Sequence, residues 1–439
     1  MRTNAIIKIN FMHYQLTFEI ELNNNFKRKI MKKIFTYSLL FLFGANIFSA
    51  PFTFGYKEDF TIEVKVPDTS STLVTKAQPM DKNLKATDLT VLMGNGINLG
   101  NTLEAYRGWH GNPKKRPQDY EQLWGQPVTN QKIFDAYKEA GFKSVRIPVA
   151  WTNMIDYEHG SYIIDKAYLD RVEEIVNYAL NNDMYVVIND HWDGQWWGLF
   201  GSANKDHRKW AIMMYKAIWT QVAVRFKNYG DKVIFESANE ELGGRLNDDT
   251  ALSKGKRGVL SEFECYDATN KINQCFVDLV RSTGGNNKNR FLLIAGYDTD
   301  IDKTISESYK MPEDKVKNRL LISVHYYTPS TYCILSEDAS WGKCKNTWGT
   351  EQDYKLMKNQ LSKMKKFVDA GYGVIIGEYG VAWQKDGKPK ENYDLFMKGV
   401  VDLSEEYNYC PMLWDCNGFF KKREPMGFIS PEAAAIYKE

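Results

Sequence analysis

Six apolar, β-branched stretches of this 439-residue chain end in side chains able to do chemistry. Arg146 lies inside Ser144-Val145-Arg146-Ile147-Pro148-Val149, and others end in Asn189-Asp190-His191-Trp192 and Ser237-Ala238-Asn239-Glu240-Glu241. Further along come His325-Tyr326-Tyr327, Gly377-Glu378-Tyr379-Gly380 and Trp414-Asp415-Cys416-Asn417. Two carboxylates walled by aromatics suit cleavage of a glycosidic bond. One must be protonated so that the leaving oxygen can depart. The other must be ionised, to attack the anomeric carbon or to activate water. An arginine beside one glutamate keeps it ionised, and Arg146 is placed to do this for Glu378. Tryptophans such as Trp192, Trp196 and Trp197 offer flat faces for sugar rings, and three beside glycine in one loop point to a ligand surface.

The elements that would hold these groups recur regularly from residue 92. Strand-like runs at 96–100, 144–151, 184–191, 233–238, 291–295, 320–327, 373–377 and 411–414 alternate with helical patterns at 131–140, 168–180, 209–226, 269–280, 353–370 and 393–406. Eight near-continuous apolar strands, most followed by a helix, read as parallel strands buried on both faces. Closed on themselves they form a (β/α)8 TIM barrel of the α/β class, whose catalytic groups gather at the C-terminal strand ends. An open doubly wound sheet is the alternative, but no Gly-rich dinucleotide fingerprint follows the first run. Upstream, Phe60, Ile62, Val64 and Val66 alternate, so a short N-terminal strand or hairpin extension is expected within residues 51–87.

The set resembles glycoside hydrolase family 5, the cellulase-type retaining barrels of the wider 4/7 clan. The resemblance covers about residues 88–437 and rests on ordered motifs: Gly96-Ile97-Asn98-Leu99-Gly100-Asn101-Thr102-Leu103-Glu104, Arg146-Ile147-Pro148, His191, Asn239-Glu240, His325-Tyr326-Tyr327, Gly377-Glu378-Tyr379-Gly380 and Leu413-Trp414. It implies Glu378 as nucleophile and Glu240 as general acid/base. Asn239 would bind the sugar 2-hydroxyl, Arg146 and Tyr327 would hold the nucleophile, and His191 and His325 would hydrogen-bond substrate and catalytic groups. Trp414 would floor the cleavage subsite. Asn101 would contact sugar or only shape a turn, and Asp190 would orient His191 or be a buried structural acid. One departure stands out: the family has proline after Asn-Glu, whereas this chain has Glu241. Without proline to fix φ, a different loop geometry is expected there, and Glu241 is a second, weaker candidate acid.

The implied activity is a retaining endo-β-1,4-glucanase on cellulose, xyloglucan or mixed-linkage glucan. A mannanase or xylanase of the same fold, or a catalytically inactive carbohydrate-binding barrel, are the alternatives. No cofactor is expected. No metal is expected either, because six histidines with no H-x-H or H-E-x-x-H spacing supply too few ligands.

Composition narrows the setting. Hydrophobic residues make up 43%, aromatics 14% and charged residues 26%, with a net charge of +2, which is globular and gives no basic face for nucleic acid. The expected partner is a β-glucan, with no nucleic acid, no membrane in the mature form, and a monomeric state. Met31-Lys32-Lys33 followed by an apolar run and Ser49-Ala50 reads as a secretory signal over residues 31–50, with an uncleaved anchor as the alternative. Residues 1–30 are then expected to be an upstream extension, residues 51–87 a linker with the N-terminal strand, and residues 88–439 the catalytic barrel, secreted to the outside. Cys265, Cys275, Cys333, Cys344, Cys410 and Cys416 fall as three neighbouring pairs, so local disulfides 265–275, 333–344 and 410–416 are expected in an oxidising compartment.

Overall fold

The computed structural model describes residues 3–11, 14–22, 55–106, 116–155, 162–193, 196–416 and 418–438. The expected export signal lies outside them. The chain divides into two units, Met1–Phe54 and Gly55–Glu439. In the first, β1 (Thr3–Phe11) pairs antiparallel with β2 (Tyr14–Leu22).

In the second unit eight strands close into a parallel barrel. They are β3 (Gly96–Asn98), β4 (Ser144–Ile147), β5 (Tyr185–Ile188), β6 (Val233–Glu236), β7 (Leu292–Ala295), β8 (Leu320–Tyr326), β9 (Gly373–Tyr379) and β10 (Tyr409–Leu413), with β10 hydrogen-bonded to β3. Every expected run supplies one strand. Between them the helices Gln131–Glu139, Lys166–Asn181, Lys205–Arg225, Glu262–Ser282, Glu351–Ser362 with Lys365–Asp369, and Tyr393–Tyr407 form the outer ring. Several begin at side-chain caps, such as Ser261 with Glu264, which bond each other's backbone N–H groups reciprocally. No helix among the described residues is long and apolar enough to cross a membrane.

Two apolar clusters result. The larger lies between strands and helices; the smaller fills the lower barrel interior with Val187, Ile234, Leu293, Leu321, Ile375 and Met412. The helix Ala86–Met93 plugs that end, inserting Leu89 and Met93, both wholly buried. Burying such a side chain stabilises by about 1.5–3 kcal/mol. Above this floor the inward positions turn polar: Asn98, Arg146, Glu236, Ser323 and His325, all on the period-two face of their strands.

Three expectations need correction. Residues 60–66 keep their alternation, with Phe60, Ile62, Val64 and Val66 half-buried and the residues between them exposed, yet they pair with no strand. They form an extended strap, held by contacts such as Lys216 Nζ donating to the Phe60 carbonyl at 2.8 Å. The three disulfides are absent, since all six cysteines are free. Cys265 and Cys275 lie on one helix, so their Cα atoms stand about 15 Å apart along its axis, far beyond the roughly 7 Å a disulfide can span. Cys333 is buried while the Cys344 thiol turns to the Leu335 carbonyl; Cys410 faces Ser144 inside the barrel, whereas Cys416 lies in the loop above it. Finally, Trp196 and Trp197 are core rather than ligand surface. They stack at 4.4 Å, are 0% and 3% exposed, and pack on Phe200 and Tyr215.

Candidate active site

Glu378 owes its direction to an irregularity in β9. The β8 register runs Val324 to Ile376 and then His325 to Glu378, so one extra residue is inserted at Gly377. Gly377 faces inward as well, because a β-carbon there would stand 2.9 Å from Ser323 Oγ and 3.2 Å from His325 Nε2. Such a bulge re-aims the next side chain, and here it turns Glu378 into the barrel mouth. Arg146 Nη1 donates to Oε1 of Glu378 at 2.9 Å, and the Tyr327 hydroxyl donates to Oε2 at 3.0 Å.

Arg146 is the hub of the site. Its Nε donates to Glu236 Oε2 at 2.6 Å, Nη1 to Asn98 Oδ1 at 3.0 Å, and Nη2 to Asn239 Oδ1 at 2.8 Å. Glu236 accepts a second bond from Ser323 Oγ at 2.7 Å. Burial works against the guanidinium charge, but Glu236 and Glu378 outweigh it and keep Arg146 charged. With its Oδ1 committed to Arg146, Asn239 leaves Nδ2 buried without a protein partner. A buried amide donor in that state is ready for a ligand hydroxyl.

Glu240 stands opposite, 22% exposed at the side chain. Its Oε1 is 2.9 Å from His325 Nδ1, and its Oε2 accepts from Arg245 Nη2 at 3.3 Å. Burial acts to raise Glu240, but His325 and Arg245 outweigh it and hold the carboxyl below its ordinary range. Burial acts to discharge His325, but Glu378 and Glu240 outweigh it and hold its proton above the usual imidazole range. Both shifts favour one proton held between the two groups, and a proton on the ring or on the carboxyl is the same charge state in two arrangements. Glu378 is pushed up, chiefly by burial and also by Glu240, against the pull of His325 and Arg146.

His191 stacks on Trp414 at 5.8 Å with the rings 6° from parallel, and burial together with Arg146 and His325 keeps it neutral. A cavity of about 340 Å³ lies here, lined by Glu378, His191, Trp192 and Trp414 and extending to Asn101, Glu104, Tyr106 and Trp124. Asn101 has left-handed backbone (φ 56°), fixed by Glu104, which accepts from the Asn101 and Thr102 backbone N–H groups; burial pushes Glu104 up to about 7. Asn101 thus both shapes a turn and borders the cavity.

The structure brings together Glu240, Glu378, Arg146, His191, Asn239, His325, Tyr327, Trp414 and Asn101. It leaves out Trp196 and Trp197. Both carboxylate oxygens of Glu241 are tied to the backbone: its Oε1 accepts from the Trp192 backbone N–H at 2.6 Å and its Oε2 from that of Asn239 at 2.9 Å. It is 2% exposed, and burial pushes it up to about 7. Asp190 is a buried structural acid lying against Asp193, while His191 Nδ1 meets Asn189. Sequence reasoning missed Glu236, Asn98 and Arg245. The detectable signal for Glu236 was a lone carboxylate on the inward face of Val233-Ile234-Phe235-Glu236. Among the described residues, oxygen and nitrogen atoms of Glu240, His325 and Glu378 lie within 4.8 Å of one another, close enough to converge on a cation. Arg146, bonded to Glu378, makes that neighbourhood electrostatically unfavourable for one.

The model for the cellulase family, glycosyl hydrolase family 5, matches residues 105–419. The chain belongs to glycosyl hydrolase family 5. This family 5 chain is 35% identical over 369 residues to Endoglucanase A of Paenibacillus barcinonensis, covering 79% of this chain and 86% of that protein. It is 34% identical to a xyloglucan-specific endo-β-1,4-glucanase of Bacteroides ovatus, covering 78% and 66%. Among solved structures, a family 5 lichenase from a Caldicellulosiruptor species superposes with a TM-score of 0.67 at 32% identity, covering 85% of this chain and 99% of that one. A broad-specificity endoglucanase from Ruminococcus champanellensis with bound cellotriose gives 0.68 at 28% identity, covering 82% and 100%. The family 5 chain is a glycoside hydrolase of the endoglucanase type.

Proposed function

We propose that this enzyme cleaves β-1,4-linked glucans with retention, Glu378 acting as nucleophile and Glu240 as acid/base. The observation that carries the reading is the spacing: carboxylate oxygens of Glu240 and Glu378 lie within 4.8 Å. Retaining enzymes hold the two carboxyl groups about 5–5.5 Å apart, whereas inverting ones leave about 6.5–9.5 Å for a water. In the first step an oxygen of Glu378 bonds to the anomeric carbon. The bond from that carbon to the leaving oxygen breaks, and that oxygen takes the proton of the Glu240–His325 pair from Glu240. In the second step Glu240, now ionised, takes a proton from water; the water oxygen bonds to the anomeric carbon and Glu378 leaves as a carboxylate.

The remaining residues support this division. Arg146 and Tyr327 stabilise the Glu378 carboxylate when it departs. The unpartnered Asn239 Nδ2 is suited to the 2-hydroxyl, a bond that strengthens as charge develops on the ring. The face of Trp414, backed by His191, is suited to stack a sugar. Relatives whose names include xyloglucan-specific endoglucanase and lichenase support a glucan over a mannan or xylan. Because such polymers lie outside cells, we place the enzyme there too, with residues 31–50 as its export signal.

The test is hydrolysis by residues 51–439 of carboxymethyl-cellulose, xyloglucan, mixed-linkage glucan, mannan and xylan in parallel. Glucan hydrolysis that disappears in Glu378→Gln supports the reading. Activity confined to mannan or xylan, or surviving in Glu378→Gln, overturns it.

A further inference from the structure

The acid/base has a neighbour that the two-step chemistry leaves unused. Arg245 sits in the single helical turn Gly244–Asn247 of the loop after β6. That turn is pinned from outside, since the Gly244 N–H donates to Asp298 Oδ1 at 2.9 Å. The Arg245 guanidinium lies 4.2 Å over the Trp192 ring. Trp192 is fixed in turn by Glu241, whose carboxylate ties the loop after β5 to the loop after β6. Glu241 thus does structural work where the family has proline: it builds the stack that carries Arg245.

The geometry at Glu240 gives that stack a role. Oε1 is occupied by His325, so Oε2 is the oxygen free to give its proton to the leaving oxygen. Arg245 Nη2 stands 3.3 Å from that same Oε2, where the leaving oxygen must come. Arg245 therefore borders the side of the acid from which the leaving group must be protonated, and its stacking partner Trp192 lines the neighbouring cavity with Glu378 and Trp414. Its side chain is 35% exposed. Stacked on Trp192, a displaced guanidinium still presents N–H donors to whatever occupies that side.

We propose that Arg245 is a positioning residue of the leaving-group side, which clamps Oε2 of Glu240 in the free protein and exchanges that contact for hydroxyls of the leaving sugar when substrate binds. The proposal rests on the reading of Glu240 as acid. It makes proton donation conditional on an occupied leaving-group side, because the clamp favours the ionised carboxyl and its release favours the protonated one. The charged groups that bear on Glu240 are His325 from β8, Arg146 from β4, Glu378 from β9, and Glu241 and Arg245 from its own loop. Those that bear on Arg245 are Glu240, Glu241 and Asp248.

The experiment compares wild type, Arg245→Gln and Arg245→Lys on cellotetraose and on dinitrophenyl β-cellobioside. The aryl substrate places no sugar beyond the cleaved bond and needs no proton on its leaving group. Arg245→Gln is expected to lose about 10- to 100-fold in kcat/KM on cellotetraose, the worth of hydrogen bonds from a charged donor, and less than about 3-fold on the aryl substrate. Removing the cation raises the proton affinity of free Glu240, so the alkaline limb of kcat/KM for cellotetraose moves to higher pH. The limb of kcat, which reports the bound complex, stays in place. Arg245→Lys keeps the charge and the wild-type limb. Equal losses on both substrates, or an unmoved limb in Arg245→Gln, overturn the proposal. Wild type inactive on both substrates would instead overturn the assignment of the site itself.

Discussion

Replacing Glu236 by glutamine removes one negative charge from beneath the catalytic layer and almost nothing else. The carboxylate and the Arg146 guanidinium are both 0% exposed and meet at 2.6 Å, so solvent screens neither. Glutamine keeps an oxygen to accept from Arg146 Nε and an amide to meet Ser323 Oγ. What is lost is the charge-assisted part of the bond. Bonds to charged groups contribute about 1.5–3 kcal/mol and neutral ones about 0.5–1.5, so Glu236→Gln should destabilise by about 1–2 kcal/mol. Glu236→Ala strands a buried guanidinium donor and should destabilise by about 3–5 kcal/mol. Urea midpoints at constant slope read both values. Activity reports a second consequence. With Glu236 neutral, more of the Arg146 charge acts on Glu378, which lowers the proton affinity of the nucleophile. Glu378 must be ionised to attack, so the acidic limb of kcat/KM should move to lower pH. A limb that stays or moves to higher pH, or an alanine variant within the roughly 0.5 kcal/mol of a surface change, would refute the view of Arg146 as a charge shared between Glu236 and Glu378.

Three other outcomes follow from particular contacts. Glu240→Gln should lose about 100- to 10,000-fold in kcat on β-glucans while retaining formation of the glycosyl-enzyme from dinitrophenyl β-cellobioside, read as a burst of dinitrophenol. Six thiols should titrate in denaturant without reductant, and reductant should leave the unfolding midpoint unchanged, since no cysteine among Cys265, Cys275, Cys333, Cys344, Cys410 and Cys416 is paired. Gly141→Ala should destabilise by at least about 2 kcal/mol in a urea melt, because Gly141 has φ +102° and a β-carbon there would stand 1.7 Å from the Tyr437 carbonyl oxygen.

The barrel is legible in the sequence because parallel strands buried on both faces are unbroken apolar runs, and all eight survive as strands. The site is legible because its residues sit where those runs end. What is not legible depends on register and on long-range packing. The extra residue at Gly377–Glu378 is defined only against the neighbouring strands β8 and β10, so nothing local tells which of the two neighbours faces inward. Glu236 hides inside a strand whose other residues are apolar, and its partner lies 90 positions away. Trp196 and Trp197 look like a sugar platform beside glycine; yet Gly198 packs against the Asp248 backbone, and the turn goes inward, carrying both rings into the core. The disulfide expectation fails for a reason that was within reach. Ser261-Glu262-Phe263-Glu264 is a capping-box signature, and starting the helix there puts Cys265 and Cys275 on one rigid element.

The division of labour between the two glutamates is tested most directly by trapping the intermediate. An activated 2-deoxy-2-fluoro-cellobioside should inactivate the enzyme, and peptide mass spectrometry should find the sugar on Glu378. A label on Glu240 or Glu241, or turnover of a β-glucan with inverted product and no label, would contradict it.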